Sequence, residues 1–506
     1  MRYIISSGFV RDKDVMVLNP NNWDDYCYKT TFEARYIDTD GNDIELGTIK
    51  IGKDEFEGGW VEECMDNSFV KLSSEFFSLW QSAESYKKVR EIEDRYDLNV
   101  FEDLNDMAYN LSLLEKYEKQ PVVRSSLFRF VSKHMCVNQF HRISLGESIL
   151  TAYHFDYIVK QNDECFEDLR LSFSVQPDSL PPTNIHAIIG SNGTGKTTLI
   201  KSMIKSICNE EKVRGEFVYA SSDEDELGYF ESVMCVSFSP FDNYLDVESC
   251  KNFKYIGVRK EYSEEGYEDG YGEINLLEDI RKKFLDSYKN CMSNKTKRND
   301  WIEIVKMFGD DGDYLFSTYN FADIVCSQRV LSYEDTREIE RVFDSLSAGH
   351  KEVLSIITRC IDQLAEKTIL FMDEPENHLH PPLLSTMIRG LSQMLIKRNG
   401  VAIISTHSPI VLQEIPKSCV WILNRQDRYL FGNRPEIETF GTNVGVLTNE
   451  VFGYEVKKSG FNMMLQKSVD RCDTYEEVLE EFGYQLGNEA KSVVRILFSQ
   501  KEGMND

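Results

Sequence analysis

The sequence predicts an α/β fold, on three observations. The apolar segment Asn184–Gly190 (NIHAIIG) runs straight into a glycine-rich loop and then into a helical pattern. Further along, the apolar runs TILFMDE (368–374), VAIISTH (401–407) and CVWIL (419–423) alternate with helical stretches. Buried strands that alternate with helices indicate a parallel sheet. Short alternating segments ahead of Asn184 read instead as antiparallel strands, so the parallel core carries an antiparallel lobe.

The elements follow in order. Residues 1–120 form an N-terminal α+β block. Tyr26–Asp38 alternates and ends at Asp40-Gly41, and Ile44–Gly52 follows, which reads as a hairpin. Lys71 to about Asn110 reads as helical, and Pro121 marks a boundary. Residues 135–250 hold the first part of the α/β domain, with FHRISLG, SILTAYHFDYIV and LRLSFSVQP as short strands before the glycine loop. Residues 251–340 read as a helical insertion with an acidic loop, EYSEEGYEDGYGE. Residues 341–460 complete the α/β domain, and 461–506 are C-terminal helices, with a break near Gly487.

Composition narrows the class. With 41% hydrophobic and 28% charged residues, the chain can build a large core. No run of about 18 apolar residues exists, so no membrane span is expected. The N-terminus shows no signal-peptide pattern. The 12 cysteines lack CxxC pairing or zinc spacing and read as reduced thiols of a cytoplasmic protein. A net charge of -28 repels nucleic acid in general, so any DNA contact needs a local basic patch or a partner. Arg281–Arg298 is such an island: seven bases against one acid, Asp286. A solvated helix face explains it equally well.

The chemistry sits in a few motifs. Gly190-Ser-Asn-Gly-Thr-Gly195-Lys196-Thr197 matches the phosphate-loop pattern in full. Gly190, Asn192, Gly193, Thr194 and Gly195 let backbone N–H groups turn onto phosphates, and the following helix offers its N-terminus through Thr198. Lys196 adds a point charge, and the Thr197 hydroxyl suits Mg²⁺. The bound cofactors expected are therefore ATP and Mg²⁺. In TILFMDEPE, two carboxylates end an apolar strand: Asp373 suits Mg²⁺ through water, and Glu374 suits a general base. A bare strand ending in an acidic turn is the bland alternative. Leu346-Ser347-Ala348-Gly349-His350 alone marks only a helix start. His407, in ISTHS, ends the strand VAII.

The order of phosphate loop, LSAGH, TILFMDEPE and ISTHS resembles the ABC-type ATPase heads of SMC and related repair proteins. The resemblance implies that Ser347 and Gly349 reach the γ-phosphate held by a second copy. It also implies that His407 is the switch histidine and that Glu376–His380 is a loop facing the other head. His378 and His380 could also be read as metal ligands, but no third ligand stands nearby. The chain departs from the pattern in one place. No glutamine occurs between Lys201 and Ser327, so the usual glutamine loop is missing; Ser237–Asp242 is the expected replacement, with Gln328 arriving late.

DEPENHLHPP, LSAGHKEVL, KYIGVRK and ETFGTNVGVLTNEVFG are similar, more narrowly, to the ATPase subunit (PtuA) of Septu anti-phage defence systems and retron-linked relatives. That resemblance covers roughly residues 140–460. It implies a homodimer or higher homo-oligomer and a partner HNH nuclease subunit, since no nuclease constellation is visible in this chain. A DNA-repair ATPase of the RecF or SMC type is the first alternative. A non-enzymatic scaffold held together by ATP is the second.

Overall fold

The computed structural model describes residues 1–148, 150–161, 167–208, 213–219, 229–237, 252–257, 276–310, 333–377, 379–458 and 460–503. The acidic loop, Gln328, His378 and residues 238–242 lie outside them. The chain divides into two compact units, each assembled from separated stretches. The first is Met1–Ala152, Asp223–Phe371 and His378–Ala402; the second is Tyr153–Ser222, Met372–Asn377 and Ile403–Asp506.

The first unit opens with a six-stranded mixed sheet. Its spatial order is Ser68–Phe69, Arg2–Ile5, Val15–Pro20, Thr31–Ile37, Asp43–Lys53 and Phe76–Trp80. Arg2–Ile5 and Val15–Pro20 are parallel; the other neighbours are antiparallel. The expected hairpin is there, between Thr31–Ile37 and Asp43–Lys53. Its turn is built on Asp38, whose Oδ1 accepts the N–H groups of Asp40, Gly41 and Asn42 at 2.8–2.9 Å. Hydrogen bonding, first from the Asn42 side chain, lowers the Asp38 pKa to about 2.

Two segments depart from the sequence reading. Within 71–110, Phe76–Trp80 is a fully buried edge strand rather than helix, and the helix begins only at Ala83. A five-residue aromatic run (FFSLW) buried on every side shows no period that separates strand from helix. FHRISLG is helical, not a strand: His141–Ser144 is an α-helix preceded by a π-helical turn. Phe140, Ile143 and Ser144 are the buried residues of the segment, a helical spacing rather than alternation.

The core of this sheet contains a buried ion pair. Lys50 Nζ lies 2.6 Å from Asp25, and both side chains are almost fully buried. Ser126 Oγ donates to the same carboxylate at 2.7 Å, and Arg129 reaches it at 2.8 Å from the surface. Burial disfavours the Lys50 ammonium and lowers its pKa, with Asp25 opposing.

Helices Leu276–Ser293 and Lys295–Asp310 brace the first unit, and the basic island lies on them. Most of its charges have partners. Arg281 meets Asp344, Lys283 meets Asp279, Lys297 meets Asp362, and Arg298 meets Asp97, at 2.9–3.1 Å. Lys295 donates to the Leu98 carbonyl and to Asn99, both at 2.7 Å. Lys282 and Lys289 are exposed without an ion pair among the described residues. The island is thus largely internal: its partners Asp97, Leu98 and Asn99 come from the N-terminal block, and Asp362 from helix Ala348–Gln363. Phe253–Gly257, placed in the helical insertion by sequence, is a strand parallel to Ser232–Ser237.

The second unit starts with the antiparallel lobe. Tyr153–Val159 pairs with Leu169–Val175 and with Gly215–Tyr219, both antiparallel. Ile185–Ile189 is completely buried and lies parallel to Val420–Gln426, which returns antiparallel as Tyr429–Asn433. The carboxyl ends of Thr368–Asp373 and Val401–Thr406 enter this unit; Val401–Thr406 lies beside Ile185–Ile189, and Thr368–Asp373 lies next to Val401–Thr406. The helices Phe461–Arg471, Tyr475–Glu481 and Asn488–Gly503 share a small core around Leu465, Val478 and Val494. The fold is therefore α/β, with parallel pairs in the core and an antiparallel lobe, as the sequence predicts. Among the described residues no helix is long and apolar enough to cross a membrane.

The buried pair yields a stability prediction. Asp25→Ala leaves the Lys50 ammonium buried without a carboxylate, which costs about 3–5 kcal/mol. Urea denaturation followed by tryptophan fluorescence should show that loss in the first unit. An unchanged midpoint would mean the pair is solvated.

Candidate active site

The glycine loop takes its shape from where it sits. A Cβ on Gly190 would lie 2.4 Å from the Leu423 carbonyl oxygen, so no other residue fits between strands Ile185–Ile189 and Val420–Gln426. Gly193 and Gly195 have φ of +81° and +98°, a region that side chains rarely enter. Thr194 closes the turn, its hydroxyl donating to the Ser191 carbonyl at 2.9 Å. Helix Lys196–Ile207 then begins at Gly195 with no side-chain cap, so its leading N–H groups stay available to an anion. Asn192 and Thr198 are exposed at the loop, and Thr197 is half-buried.

Lys196 is buried and folds back on the loop. Its Nζ donates to the Gly190 and Ser191 carbonyls at 2.8 and 3.1 Å. Burial lowers its pKa, while Glu374, Glu376 and Asp373 act in the opposite direction. The lysine and all three carboxylates belong to the second unit.

Strand Thr368–Asp373 delivers the carboxylates. Asp373 is buried and accepts a hydrogen bond from the Ser405 hydroxyl. Glu374 leaves the strand at φ +46°, strained for a non-glycine residue. Its N–H donates to the Ser405 carbonyl at 2.9 Å, and its Oε2 accepts from Asn377 at 3.3 Å. Glu376 turns back onto the neighbouring strand end. Its Oε1 accepts the His407 backbone N–H at 2.6 Å and the Thr406 hydroxyl at 2.8 Å.

His407 Nδ1 lies 3.0 Å from Glu376 Oε1 and 3.9 Å from Glu374 Oε1. The nearer contact is an ion-pair distance rather than an aligned hydrogen bond. Glu376 is the main cause of a raised His407 pKa; burial opposes, and Glu374 adds to the rise. Burial pushes the Glu376 carboxyl up, but the His407 ring and N–H outweigh it, and its pKa falls.

The signature residues belong to the first unit. Ser347 is exposed and caps helix Ala348–Gln363, its Oγ accepting the His350 N–H. The same Oγ lies 2.5 Å from His350 Nδ1. Gly349 sits in the first turn of this helix. His380, at the start of helix Pro381–Lys397, has its ring 6.1 Å from that of His350.

The structure therefore gathers Gly190–Thr198, Asp373, Glu374 and His407 within the second unit. Two members have roles that the sequence reading does not assign: Glu376 is expected only in a loop facing a second head, and Ser405 is given no role. Glu376 is visible in the motif TILFMDEPE, yet nothing local says that it holds His407. Ser405 stands in ISTHS, and its bond to Asp373 crosses between strands.

A family model described as "AAA domain, putative AbiEii toxin, Type IV TA system" matches residues 185–413, from the strand before the loop to just past His407. Protein ea59 of Escherichia phage lambda is 34% identical over 525 aligned residues, covering 97% of this chain and 96% of that protein. The chain belongs to the family of protein ea59. An ABC transporter ATP-binding protein of Methanocaldococcus jannaschii is 20% identical over 46% of this chain and 39% of that protein. Among solved structures, cbiO1 of Clostridium perfringens, part of the ABC transporter complex cbiONQ, is 16% identical. It covers 62% of this chain and 98% of that one, with a TM-score of 0.27. Such a score supports no argument, and the α/β assignment rests on the strand pairings. Residues 185–413, which carry the site, thus match an AAA-type ATPase domain.

The raised His407 pKa has a testable sign. Its charged form stabilises the fold fully below the ordinary histidine pKa, and that contribution is lost as pH rises through the higher folded value. Glu376→Gln should bring the His407 titration down, read from its ring resonances by NMR. An unmoved titration would remove Glu376 as the cause.

Proposed function

We propose that this chain binds ATP with Mg²⁺ and hydrolyses it slowly between two copies of itself, and that this cycle regulates an HNH-type partner nuclease in anti-phage defence. One observation carries the ATP reading: Lys196, Asp373, Glu374, Glu376 and His407 come together at the end of a glycine loop. Asp373 and Thr197 would hold Mg²⁺, whose charge neutralises the phosphate oxygens when bound. Helix N–H groups without a side-chain cap, positive-φ glycines and a lysine whose hydrogen bonds, among the described residues, go to carbonyls fit a triphosphate. On binding, Lys196 exchanges the Gly190 and Ser191 carbonyls for phosphate oxygens. Glu374, fixed through its own N–H and Asn377, accepts a proton from the attacking water. His407, held by Glu376, donates towards the terminal phosphate.

The second copy enters through Ser347. This serine is exposed and caps the first turn of a helix, and in the proposed dimer it and the helix N-terminus meet an anion brought by another chain. The nuclease partner and the defence role rest on the resemblance to Septu ATPases. A relative carried by a phage, and a matched family described by a toxin name, fit a chain that works in conflicts between phages and their hosts.

Lys196→Ala removes a charge-assisted contact of about 1.5–3 kcal/mol. ATP affinity by calorimetry should fall at least tenfold; an unchanged dissociation constant would sink the assignment. Glu374→Gln should keep binding but slow turnover by about 10²-fold or more, and ATP should then trap dimers in size-exclusion chromatography. Wild-type turnover in this variant would assign the base elsewhere. DNA should stay intact with the chain and ATP alone and be cut only once an HNH partner is added.

A further inference from the structure

The first unit carries a surface that the nucleotide site does not use. Three large aromatic side chains are exposed there: Trp23 at 49%, Tyr26 at 73% and Phe130 at 66%. One cation ties them together. The Arg129 guanidinium carbon lies 5.8, 5.0 and 5.4 Å from the Trp23, Tyr26 and Phe130 ring centres. The Trp23 and Phe130 rings are 6.4 Å apart. The arrangement is fixed from below. Trp23 Nε1 donates to Asp25 at 2.8 Å, Arg129 pairs with the same carboxylate, and the buried Lys50 ammonium sits 5.4 Å from the Phe130 ring. Soluble domains seldom spend this many aromatic side chains on the surface without a partner.

The charge around the rings is unusual for this protein. Residues 119–135 (KQPVVRSSLFRFVSKHM) hold Lys119, Arg124, Arg129 and Lys133 and no acid, in a chain of net charge -28. The acids that border them are partly matched. Asp25 is balanced by Lys50, and Glu118 by Lys133. Asp24, bound to the Cys27 N–H, is not matched, and the segment that packs on Cys27 and Gln120 adds the exposed Glu55 and Glu57. Lys119 and Arg124 are exposed without an ion pair among the described residues, so these two cations of the segment remain open to a ligand.

We infer that this surface binds single-stranded nucleic acid, with bases stacking on Trp23, Tyr26 and Phe130 and the backbone passing over Lys119 and Arg124. Unpaired bases expose the ring faces that aromatic side chains stack on, and a duplex hides them. Flanking cations supply the salt-dependent phosphate term. An acidic protein segment would use the charges but would leave three exposed rings without a role. The inference stands apart from the ATPase reading and survives its failure. It also differs from the island on 281–298, most of whose charges are consumed inside the unit.

The test is fluorescence anisotropy of a labelled oligothymidine with the full-length chain. Binding should weaken between about 50 and 200 mM salt, and a duplex of equal length should bind more weakly. Trp23→Ala/Tyr26→Ala/Phe130→Ala should reduce affinity by about tenfold or more. Lys119→Glu/Arg124→Glu should flatten the salt dependence. Lys282→Glu/Lys289→Glu should leave both unchanged. The substituted side chains are exposed, and matching thermal melts would show that the variants fold. Full affinity in the aromatic variant overturns the proposal, as does loss of binding only in the Lys282/Lys289 variant. Displacement of the oligonucleotide by polyglutamate at equal charge concentration would point to an acidic protein and likewise overturn it.

Discussion

A single buried ammonium governs the site. Lys196 lies within electrostatic reach of Asp373, Glu374 and Glu376, yet its hydrogen bonds go to two backbone carbonyls of its own loop. Three carboxylates around one lysine leave the site with excess negative charge. A triphosphate adds more, so the pocket can accept it only together with a divalent cation and with every N–H group that the loop and the helix N-terminus present. The conformations of Gly193 and Gly195, the clearance at Gly190 and the strain at Glu374 serve that one electrostatic requirement.

The carboxylates are also organised against the neighbouring strand end. Ser405 binds Asp373 through its hydroxyl and Glu374 through its carbonyl. Glu376 takes the Thr406 hydroxyl and the His407 N–H. The segment 405–407 is thus fastened to 373–376 at four points, and a change at His407 is mechanically coupled to the proposed base. This coupling offers a physical route from the state of the terminal phosphate to the rest of the second unit.

Much of this was legible in the sequence because it is local. A phosphate loop is a backbone shape, and its glycines, lysine and preceding strand are adjacent in the chain. The same holds for Asp373-Glu374 at a strand end and for the hairpin around Asp40-Gly41. What was not legible depends on distant partners. Charges at 281–298 read as an island because Asp97, Asp344 and Asp362 lie far off in sequence. FFSLW gives no period, so Phe76–Trp80 passed for helix. The aromatic surface needs Trp23 and Tyr26 to meet Arg129, about a hundred residues away, which no local pattern records.

The central claim is that each nucleotide is turned over between the loop of one copy and Ser347 of another. Mixing tests it directly. Lys196→Ala chains and Ser347→Arg chains are each expected to be inactive alone. In a heterodimer of the two, one composite site carries both defects and the other carries neither, as two-fold symmetry requires. ATPase activity should therefore return in part on mixing. No recovery in heterodimers shown to form by differential tagging would contradict the shared site.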